Sequence, residues 1–253
     1  MACHILLEPQ PRVPTRNLVP AFPLVRSTPL NPTVAVLFSG GLDSSILLAH
    51  LLAQQHRVQP LYVDSQLHWQ NEERRWAERF LRAIDAPLVE RLVVLSLPLA
   101  DLYENHWSIT GRGVPGADEP DEKVYLPGRN PLLMIKAHVW CRLHGISQLA
   151  LGSLMNNPFA DATGDFFVAF EEAMDRAVSG HVQLVRPLAA FDKPQVMRLA
   201  ANVPLELTFS CLDPSGGLHC GKCNKCAERR AAFRRSGLDD PTPYRPAPRP
   251  IAI

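Results

Sequence analysis

The sequence carries almost no net charge and contains no long apolar run. Its 26 basic residues balance 25 acidic ones, which leaves +1 at pH 7. A protein that acts mainly on RNA or DNA usually has a strong basic excess, so the balance argues against a nucleic-acid partner. No stretch approaches the roughly 20 apolar residues of a membrane helix, and residues 1–8 show neither a basic leader nor a signal-length apolar core. We therefore predict a cytoplasmic protein without a membrane partner.

Length and proline distribution divide the chain. With 253 residues, 46% of them hydrophobic, it can bury one substantial core. Prolines recur in residues 1–32 and 241–253 and exclude regular helix or strand there. We predict a proline-rich N-terminal arm over 1–32, an α/β domain over 33–205, a zinc-binding region with a C-terminal helix over 206–240, and a proline-rich tail over 241–253.

Strand and helix patterns alternate between the two ends, which predicts a doubly wound parallel sheet covered on both faces. The predicted strands are 34–38, 58–63, 88–95, 148–151 and 182–186. The predicted helices are 44–55, 71–84, 131–144, 165–178 and 194–201. Residues 96–126 are irregular and are either a lid or a solvated loop, and their acidic cluster leaves magnesium binding open.

The first strand ends in a glycine turn, Ser39-Gly40-Gly41-Leu42-Asp43-Ser44. Adjacent glycines let the backbone approach a ligand closely, and the amides of the following helix point into the turn, which favours an anion. The turn lacks the Gly-Lys-Ser/Thr of the common nucleotide loop, and Ser39 and Ser44 supply hydroxyls instead. It resembles the PP-loop of ATP pyrophosphatases, which split ATP into AMP and pyrophosphate. The resemblance implies ATP binding by Phe38, Ser39, Gly40, Gly41, Leu42, Asp43 and Ser44.

Further polar residues stand where ligands of open α/β sheets bind or where helices begin. Gln66 and His68 follow the second strand; His68 is either a site residue or a surface residue. Arg129 precedes a helix and either binds phosphate or carboxylate or is an ordinary surface arginine before an Asn130 cap. Lys193 opens a short helix and either holds a phosphate or is solvated.

Four cysteines form a compact cluster, Cys211, Cys220, Cys223 and Cys226, with Cys-x8-Cys-x2-Cys-x2-Cys spacing. Since secretion is not expected, their spacing indicates metal binding rather than disulfides. Four thiolates suit tetrahedral Zn²⁺ and leave no open position for chemistry. We predict a structural zinc, with an iron–sulfur cluster as the open alternative.

Together these stretches resemble the 7-cyano-7-deazaguanine synthase family of the queuosine pathway. The resemblance covers roughly residues 34–244 and includes the glycine turn, Gln66 with His68, Pro-Gly-Arg-Asn at 127–130, Lys193 and the cysteine spacing. It implies an ATP-dependent C–N ligase that adenylates 7-carboxy-7-deazaguanine, releases pyrophosphate, forms an amide with ammonia and dehydrates it to the nitrile with a second ATP. The predicted cofactors are ATP, Mg²⁺ and Zn²⁺.

These considerations predict a set of site residues. Catalytic roles are predicted for Ser39, Asp43, Arg129 and Lys193, and substrate binding for Gln66, His68, Arg129, Asn130 and Asp165. The predicted partners are a small deazapurine acid and ammonia, and a homodimer is left open.

One run departs from the family. Where its members carry Tyr-Pro-Asp-Cys-Arg, this chain has Thr163-Gly164-Asp165-Phe166-Phe167 before a predicted helix, and we predict Asp165 as the reader of the base. The change leaves two alternatives open: a diverged enzyme that adenylates and amidates or conjugates another acid, and a non-catalytic zinc-bearing binding protein. A tRNA-thiolating enzyme would need catalytic cysteines and a basic surface, and the sequence shows neither.

Overall fold

The computed structural model describes residues 32–155 and 157–246, and five parallel strands form its sheet. They are β1 (Thr33–Leu37), β2 (Arg57–Asp64), β3 (Val93–Ser96), β4 (Gln148–Ala150) and β5 (Gln183–Val185). Their order is β3-β2-β1-β4-β5, and every neighbouring pair is parallel. The strand order reverses between β1 and β4, and ligands of such sheets bind outside the carboxyl ends at this point. The predicted doubly wound parallel α/β fold is confirmed.

Eight helices join the strands within the described residues. They are α1 (Leu42–Ala53), α2 (Gln70–Ile84), α3 (Ala100–Tyr103), α4 (Trp107–Thr110), α5 (Arg129–Leu143), α6 (Gly164–Val178), α7 (Lys193–Arg198) and α8 (Asn224–Ser236). Short 3-10 helices cover Asp121–Val124, Ala160–Ala162 and Leu205–Leu207. None of the helices in this part of the chain has the length and apolar character that crossing a bilayer requires.

Helices pack on both faces of the sheet. Ile46 of α1, Phe80 of α2 and Phe233 of α8 share one buried apolar cluster with β1. Met134 of α5 and Phe167 of α6 belong to the cluster on the other face. Each cluster removes large apolar side chains from water, and this burial is the main favourable contribution to folding. The helices cover the two faces of the sheet and leave the carboxyl ends of its strands uncovered.

The third strand is shorter than predicted. Residues 88–95 were expected to be continuous, but Val89 forms only an isolated bridge to β2 and regular pairing starts at Val93. Pro60 of β2 has no N–H to donate toward this edge. The side-chain amide of Gln59 donates to the Arg91 carbonyl at 2.8 Å instead. A proline inside β2 therefore interrupts the ladder.

The irregular segment 96–126 packs against α8. The Asn224 side-chain amide donates to the Glu119 carbonyl at 2.8 Å and to Asp121 Oδ1 at 3.3 Å, and Glu119 Oε2 accepts from the Gly116 amide at 2.6 Å. Two carboxylates of the acidic cluster thus take part in internal hydrogen bonds. Among the described residues, this cluster forms no group of three close metal ligands.

The two chain ends differ. The predicted arm over 1–32 lies, except for Pro32, outside the described residues. The predicted tail begins too early at 241, because Thr242 is buried and Tyr244 packs against a buried cluster that includes Trp76 and Phe209. Arg229 Nε donates to Thr242 Oγ1 at 2.6 Å, and Tyr244 donates to Asp240 at 2.8 Å. Residues 241–246 therefore belong to the folded unit.

Candidate active site

The glycine turn lies between β1 and α1 under the amino-terminal half of α2. Gly40 has a φ of +74°, and a Cβ there would lie 2.8 Å from the Ala77 Cβ. The position therefore requires glycine for both its backbone and its space. Ser39 and Ser44 place their Oγ atoms 3.2 Å apart across the turn. No side chain caps the first amides of α1 at Gly41, so these donors are available to an anion.

Lys193 and Asp43 meet at this turn although 150 residues separate them. Lys193 Nζ lies 2.8 Å from both Asp43 carboxylate oxygens and 3.9 Å from Glu228 Oε1. Burial alone would lower the pKa of Lys193, but the two carboxylates outweigh it and hold the pKa above its ordinary value. Lys225 Nζ in turn donates to Glu228 Oε2 at 2.6 Å. Each of the two lysines is thus held by a carboxylate.

Two cavities adjoin the turn, and a third lies beside them. The cationic cavity, of about 300 Å³, holds Lys193, Lys225 and Arg229. The apolar cavity, of about 260 Å³, lies between β1, β2, β4 and α5. Its apolar lining comprises Leu37, Phe38, Val63, Leu133, Met134, Leu151, Ala162 and Phe167.

The third, aromatic cavity measures about 230 Å³ and is lined by two aromatic pairs. The rings of Tyr125 and Phe159 lie 5.1 Å apart and close to parallel, and Trp69 stacks on Trp107 at 5.8 Å. Asp161 also lines this cavity; it is 7% exposed and accepts from Asn130 Nδ2 at 3.1 Å. Flat aromatic walls with a carboxylate at one edge suit a heteroaromatic ring that bears N–H donors.

Arg129 lines all three cavities and lies where they meet. It is the first residue of α5, after Gly128 with a φ of +74°. Its Nε is buried without a hydrogen-bond partner among the described residues. A buried donor without a partner costs stability, and an anionic ligand at the junction would satisfy it. Arg129 thus lies in the wall of the cavities rather than on the open surface, and its role in catalysis and binding stays a prediction.

Arg229 contributes to the same wall in a different way. It is 1% exposed and donates to Ser210, Thr208, the Leu205 carbonyl and Thr242. Burial lowers its pKa, and these four acceptors satisfy the guanidinium. Arg229 therefore joins α8 to the segment that precedes the cysteine cluster, and it has little donor capacity left for a ligand.

The four clustered cysteines converge behind the cationic cavity. Their sulfur atoms all lie within 4.8 Å of one another, and the sulfurs of Cys220 and Cys226 lie 4.0 Å apart. Zn–S bonds of about 2.3 Å at tetrahedral angles put sulfurs about 3.8 Å apart. Backbone amides donate to the sulfurs of Cys211, Cys220 and Cys223, as thiolate ligands require. The residues present fit a single tetrahedral ion such as Zn²⁺.

Comparison with known proteins gives the family. The model of the queuosine biosynthesis protein QueC matches residues 33–237. The chain belongs to the QueC family. It is 32% identical over 230 residues to the 7-cyano-7-deazaguanine synthase of Solidesulfovibrio magneticus, with 84% of this chain and 95% of that protein covered. The synthases of Methanopyrus kandleri and Novosphingobium aromaticivorans are each 33% identical to this chain. Each match covers 84% of this chain, together with 98% of the first protein and 94% of the second.

The structure revises how the family's base-side run maps onto this QueC chain. The run was expected at 163–167 before a helix at 165, but α6 already begins at Gly164 with Thr163 as its cap. The residues before the helix are 159–163, and their carboxylate is Asp161. Asp165 is exposed in the first turn of α6 and lines none of the three cavities. We propose that the family's run corresponds to residues 159–163, which puts Ala162 and Thr163 in place of its cysteine and arginine.

Two other predicted substrate residues also lie away from the cavities. Gln66 is exposed, and its backbone amide donates to Asp64 at 3.0 Å. The His68 ring packs on Gly111, where a Cβ would come within 2.4 Å, and His68 Nε2 lies 3.5 Å from Asp213 Oδ1. These contacts join the loop after β2 to the segment 96–126 and to the cysteine loop. Substrate binding by Gln66 and His68 stays a prediction.

Sequence reasoning missed several residues that line the cavities. Lys225 and Glu228 are on α8, beside a cysteine ligand, in a helix whose charges resemble a solvated face. Glu73 lies in a helix rich in Glu and Arg, but it is 8% exposed and lines two cavities. The apolar periodicity of α2 around Trp76, Ala77 and Phe80 places residue 73 on the buried face, and this signal was available.

Proposed function

We propose that the protein is a 7-cyano-7-deazaguanine synthase that uses ATP to activate 7-carboxy-7-deazaguanine. The relatives that carry this name match nearly their whole length. The observation that carries the proposal is the meeting of an apolar, a cationic and an aromatic cavity at Arg129. An enzyme that joins a nucleotide to a heteroaromatic acid needs these three compartments around one reacting centre.

The cavities provide a place for each part of the two substrates. Adenine fits the apolar cavity beside Phe38, and the terminal phosphates fit the cationic cavity at the amides of α1 and Lys193. The deazaguanine ring fits between the aromatic walls, where Asp161 accepts hydrogen bonds from its N–H groups. The α-phosphate and the acid carboxylate then meet beside Arg129.

Adenylation follows from this placement. A carboxylate is a poor electrophile because its oxygen is a poor leaving group. An oxygen of the acid attacks the α-phosphorus, the bond to the bridging oxygen breaks, and pyrophosphate leaves with the electron pair. Lys193, Arg129 and the α1 amides neutralise the charge that grows on the transferred phosphate. The resulting acyl-adenylate carries AMP as a good leaving group.

Nitrogen enters next. Ammonia attacks the acyl carbon, and AMP leaves, which gives the amide. The amide oxygen then attacks the α-phosphorus of a second ATP, the bond to the bridging oxygen breaks, and pyrophosphate leaves with the electron pair. The O-adenylated amide loses its two N–H protons, and its C–O bond breaks as AMP leaves with the electron pair, which gives the nitrile. Both rounds use the same junction, because in each an oxygen of the same C7 substituent attacks the α-phosphorus.

The proposal includes two metals. Asp43 and Glu228 would hold Mg²⁺ with the terminal phosphates, where the ion supplies charge neutralisation. The four cysteines would hold Zn²⁺, which cross-links α8 to the loop that begins at Cys211. The chain's own role at the phosphates is to orient Lys193 through Asp43.

A second function is favoured by one observation. Ala162 and Thr163 replace a cysteine and an arginine that the family carries on the base side, on the placement described above. Ala162 lines the apolar cavity, and Thr163 is exposed as the cap of α6. Neither binds a carboxylate as an arginine does, so the alternative is ATP-dependent amidation of a different heteroaromatic acid.

The test is a single incubation with products weighed. The protein is mixed with ATP, magnesium, ammonium and 7-carboxy-7-deazaguanine, and mass spectrometry follows AMP, pyrophosphate, amide and nitrile. We expect AMP and pyrophosphate together with the nitrile. An amide without nitrile, or turnover only with another heteroaromatic acid, supports the second function. Release of ADP and orthophosphate would overturn both.

A further inference from the structure

Glu73 is a buried carboxylate with no ion-pair partner among the described residues. It is 8% exposed and lines both the apolar and the cationic cavity. Tyr62 donates its hydroxyl to Glu73 Oε2 at 2.8 Å. No lysine, arginine or histidine of the described residues forms a salt bridge with it. A buried carboxylate costs free energy, so its retention at this place needs a reason.

The other carboxylates near the junction are already engaged. Asp43 is held by Lys193, Glu228 by Lys225, and Asp161 by Asn130. Of these carboxylates, Glu73 is the one that lines both the apolar and the cationic cavity without a salt bridge to another described residue. Burial raises the pKa of Glu73, although Arg129 partly offsets this. A carboxylate with a raised pKa is a better proton acceptor than an exposed one.

The amide-forming step of the proposed function requires such a group. Ammonia exists in neutral water mainly as ammonium, which has no lone pair and cannot attack a carbonyl. A cation that enters a pocket walled by Lys193, Lys225 and Arg129 is repelled unless a free carboxylate is present. Glu73 supplies the negative charge and the proton acceptor at once.

We infer that Glu73, positioned by Tyr62, binds ammonium beside the acyl-adenylate and removes one of its protons. The inference rests on the proposed function and adds the nitrogen site to it. In the step, ammonium gives one proton to Glu73 and becomes ammonia. The nitrogen lone pair then forms the C–N bond, and the C–O bond to AMP breaks. AMP leaves with that electron pair, and its oxygen takes the second N–H proton.

The test separates adenylation from amide formation. Adenylation is followed as acid-dependent exchange of labelled pyrophosphate into ATP, and amide formation by mass spectrometry with ammonium or hydroxylamine. Hydroxylamine is mostly uncharged at neutral pH and does not need the base. For Glu73→Gln we expect exchange close to wild type, amide formation with ammonium lowered about 100-fold or more, and hydroxamate formation retained.

Two further variants complete the design. Glu72→Gln changes the neighbouring carboxylate, which pairs with Arg75 on the surface, and should behave as wild type in both assays. Glu73→Asp keeps the carboxylate on a side chain that is one methylene shorter. The ammonium-dependent rate of this variant should therefore lie between the rates of the wild type and of Glu73→Gln. If Glu73→Gln does not fold, Glu73→Asp provides the test. The inference requires that the ratio of its hydroxylamine rate to its ammonium rate be higher than the same ratio in the wild type.

The outcomes distinguish the inference from the proposed function. Full ammonium-dependent activity in Glu73→Gln, or equal loss with both nucleophiles, would overturn the role of Glu73. Loss of pyrophosphate exchange in Glu73→Gln, with exchange retained in the wild type, would assign Glu73 to adenylation and would also overturn the inference. Absence of acid-dependent exchange in the wild type would instead contradict the proposed function.

Discussion

Lys193 and Asp43 show how two residues at opposite ends of the fold form one part of the site. Asp43 belongs to the first turn of α1 and Lys193 to the first turn of α7, where Asp192 and Gln195 form a capping box. The box fixes the start of α7, and this places Nζ between the two Asp43 oxygens. A charge held in advance needs no reorganisation when phosphate arrives.

Removing the Lys193 charge should therefore damage phosphate handling more than folding. Lys193→Ala leaves Asp43 facing the phosphates without compensation. We expect acid-dependent pyrophosphate exchange to fall about 100-fold or more, since charge-assisted hydrogen bonds contribute about 1.5–3 kcal/mol each. Lys136→Ala, on the exposed side of α5, is the control. Equal exchange rates in the two variants would remove Lys193 from the phosphate site.

Asp161 and Asp165 are four positions apart but lie in different surroundings. The 3-10 turn at 160–162 directs Asp161 to Asn130 and the aromatic cavity, whereas Thr163 caps α6 and leaves Asp165 in solvent. A short polar run has no periodicity, so the sequence alone does not show which of the two aspartates is buried. The difference depends on where α6 begins, and helix ends are poorly determined by sequence pattern.

The pair provides a matched test of base recognition. Asp161→Asn turns an acceptor into a donor toward the ring N–H groups, so the KM for the deazaguanine acid should rise about 10- to 100-fold. The KM for ATP should change little. Asp165→Asn should leave both constants near wild type. If Asp165→Asn alone weakens acid binding, the base reader is Asp165, as the sequence interpretation had it.

Among the elements, α8 joins the cysteine cluster to the cationic cavity. Cys226 is followed within one turn by Glu228 and Arg229, and Lys225 precedes it. A metal at the cysteines would fix the first turn of this helix and with it the lysine–carboxylate pair at the phosphates. A metal there would act on nucleotide binding through α8, although four cysteine ligands leave it no open position.

Metal removal should therefore lower both stability and nucleotide affinity. We expect one zinc per chain, a lower melting temperature after chelation, and weaker ATP binding by calorimetry. Cys226→Ser should lose the metal, whereas Cys141→Ala, a buried cysteine outside the cluster, should keep it. Iron with acid-labile sulfide, or full stability and ATP affinity without metal, would contradict this prediction.

At the scale of the whole molecule, the sheet and the phosphate turn could be predicted, but the walls of the cavities could not. The glycine turn and the cysteine spacing are local patterns, and alternation of strand and helix determines a parallel sheet. The burial of Glu73 follows from the periodicity of α2, but the cavities that Glu73 and Lys225 line depend on how their helices pack against other elements. Such contacts follow from packing between elements, which a single sequence does not encode in short motifs.

The chain ends provide the last prediction. Residues 1–31 lie outside the described part, and the family match begins at residue 33. We propose that a chain starting at Pro32 keeps its melting temperature and exchange activity. The carboxyl end should behave differently, because Thr242 accepts from buried Arg229 and Tyr244 bridges to His219.

Ending the chain at Gly237 leaves the Arg229 Nε without an acceptor in a site that is 1% exposed. An unsatisfied buried donor of this kind costs about 1–3 kcal/mol, more when charged, and about 1 kcal/mol moves the melting temperature of a domain this size by about 2–4 °C. Ending it at Pro246 keeps Thr242 and Tyr244 and is the matched control. Thermal unfolding of the two chains decides the matter: equal melting temperatures would show that residues 238–246 do not support the fold.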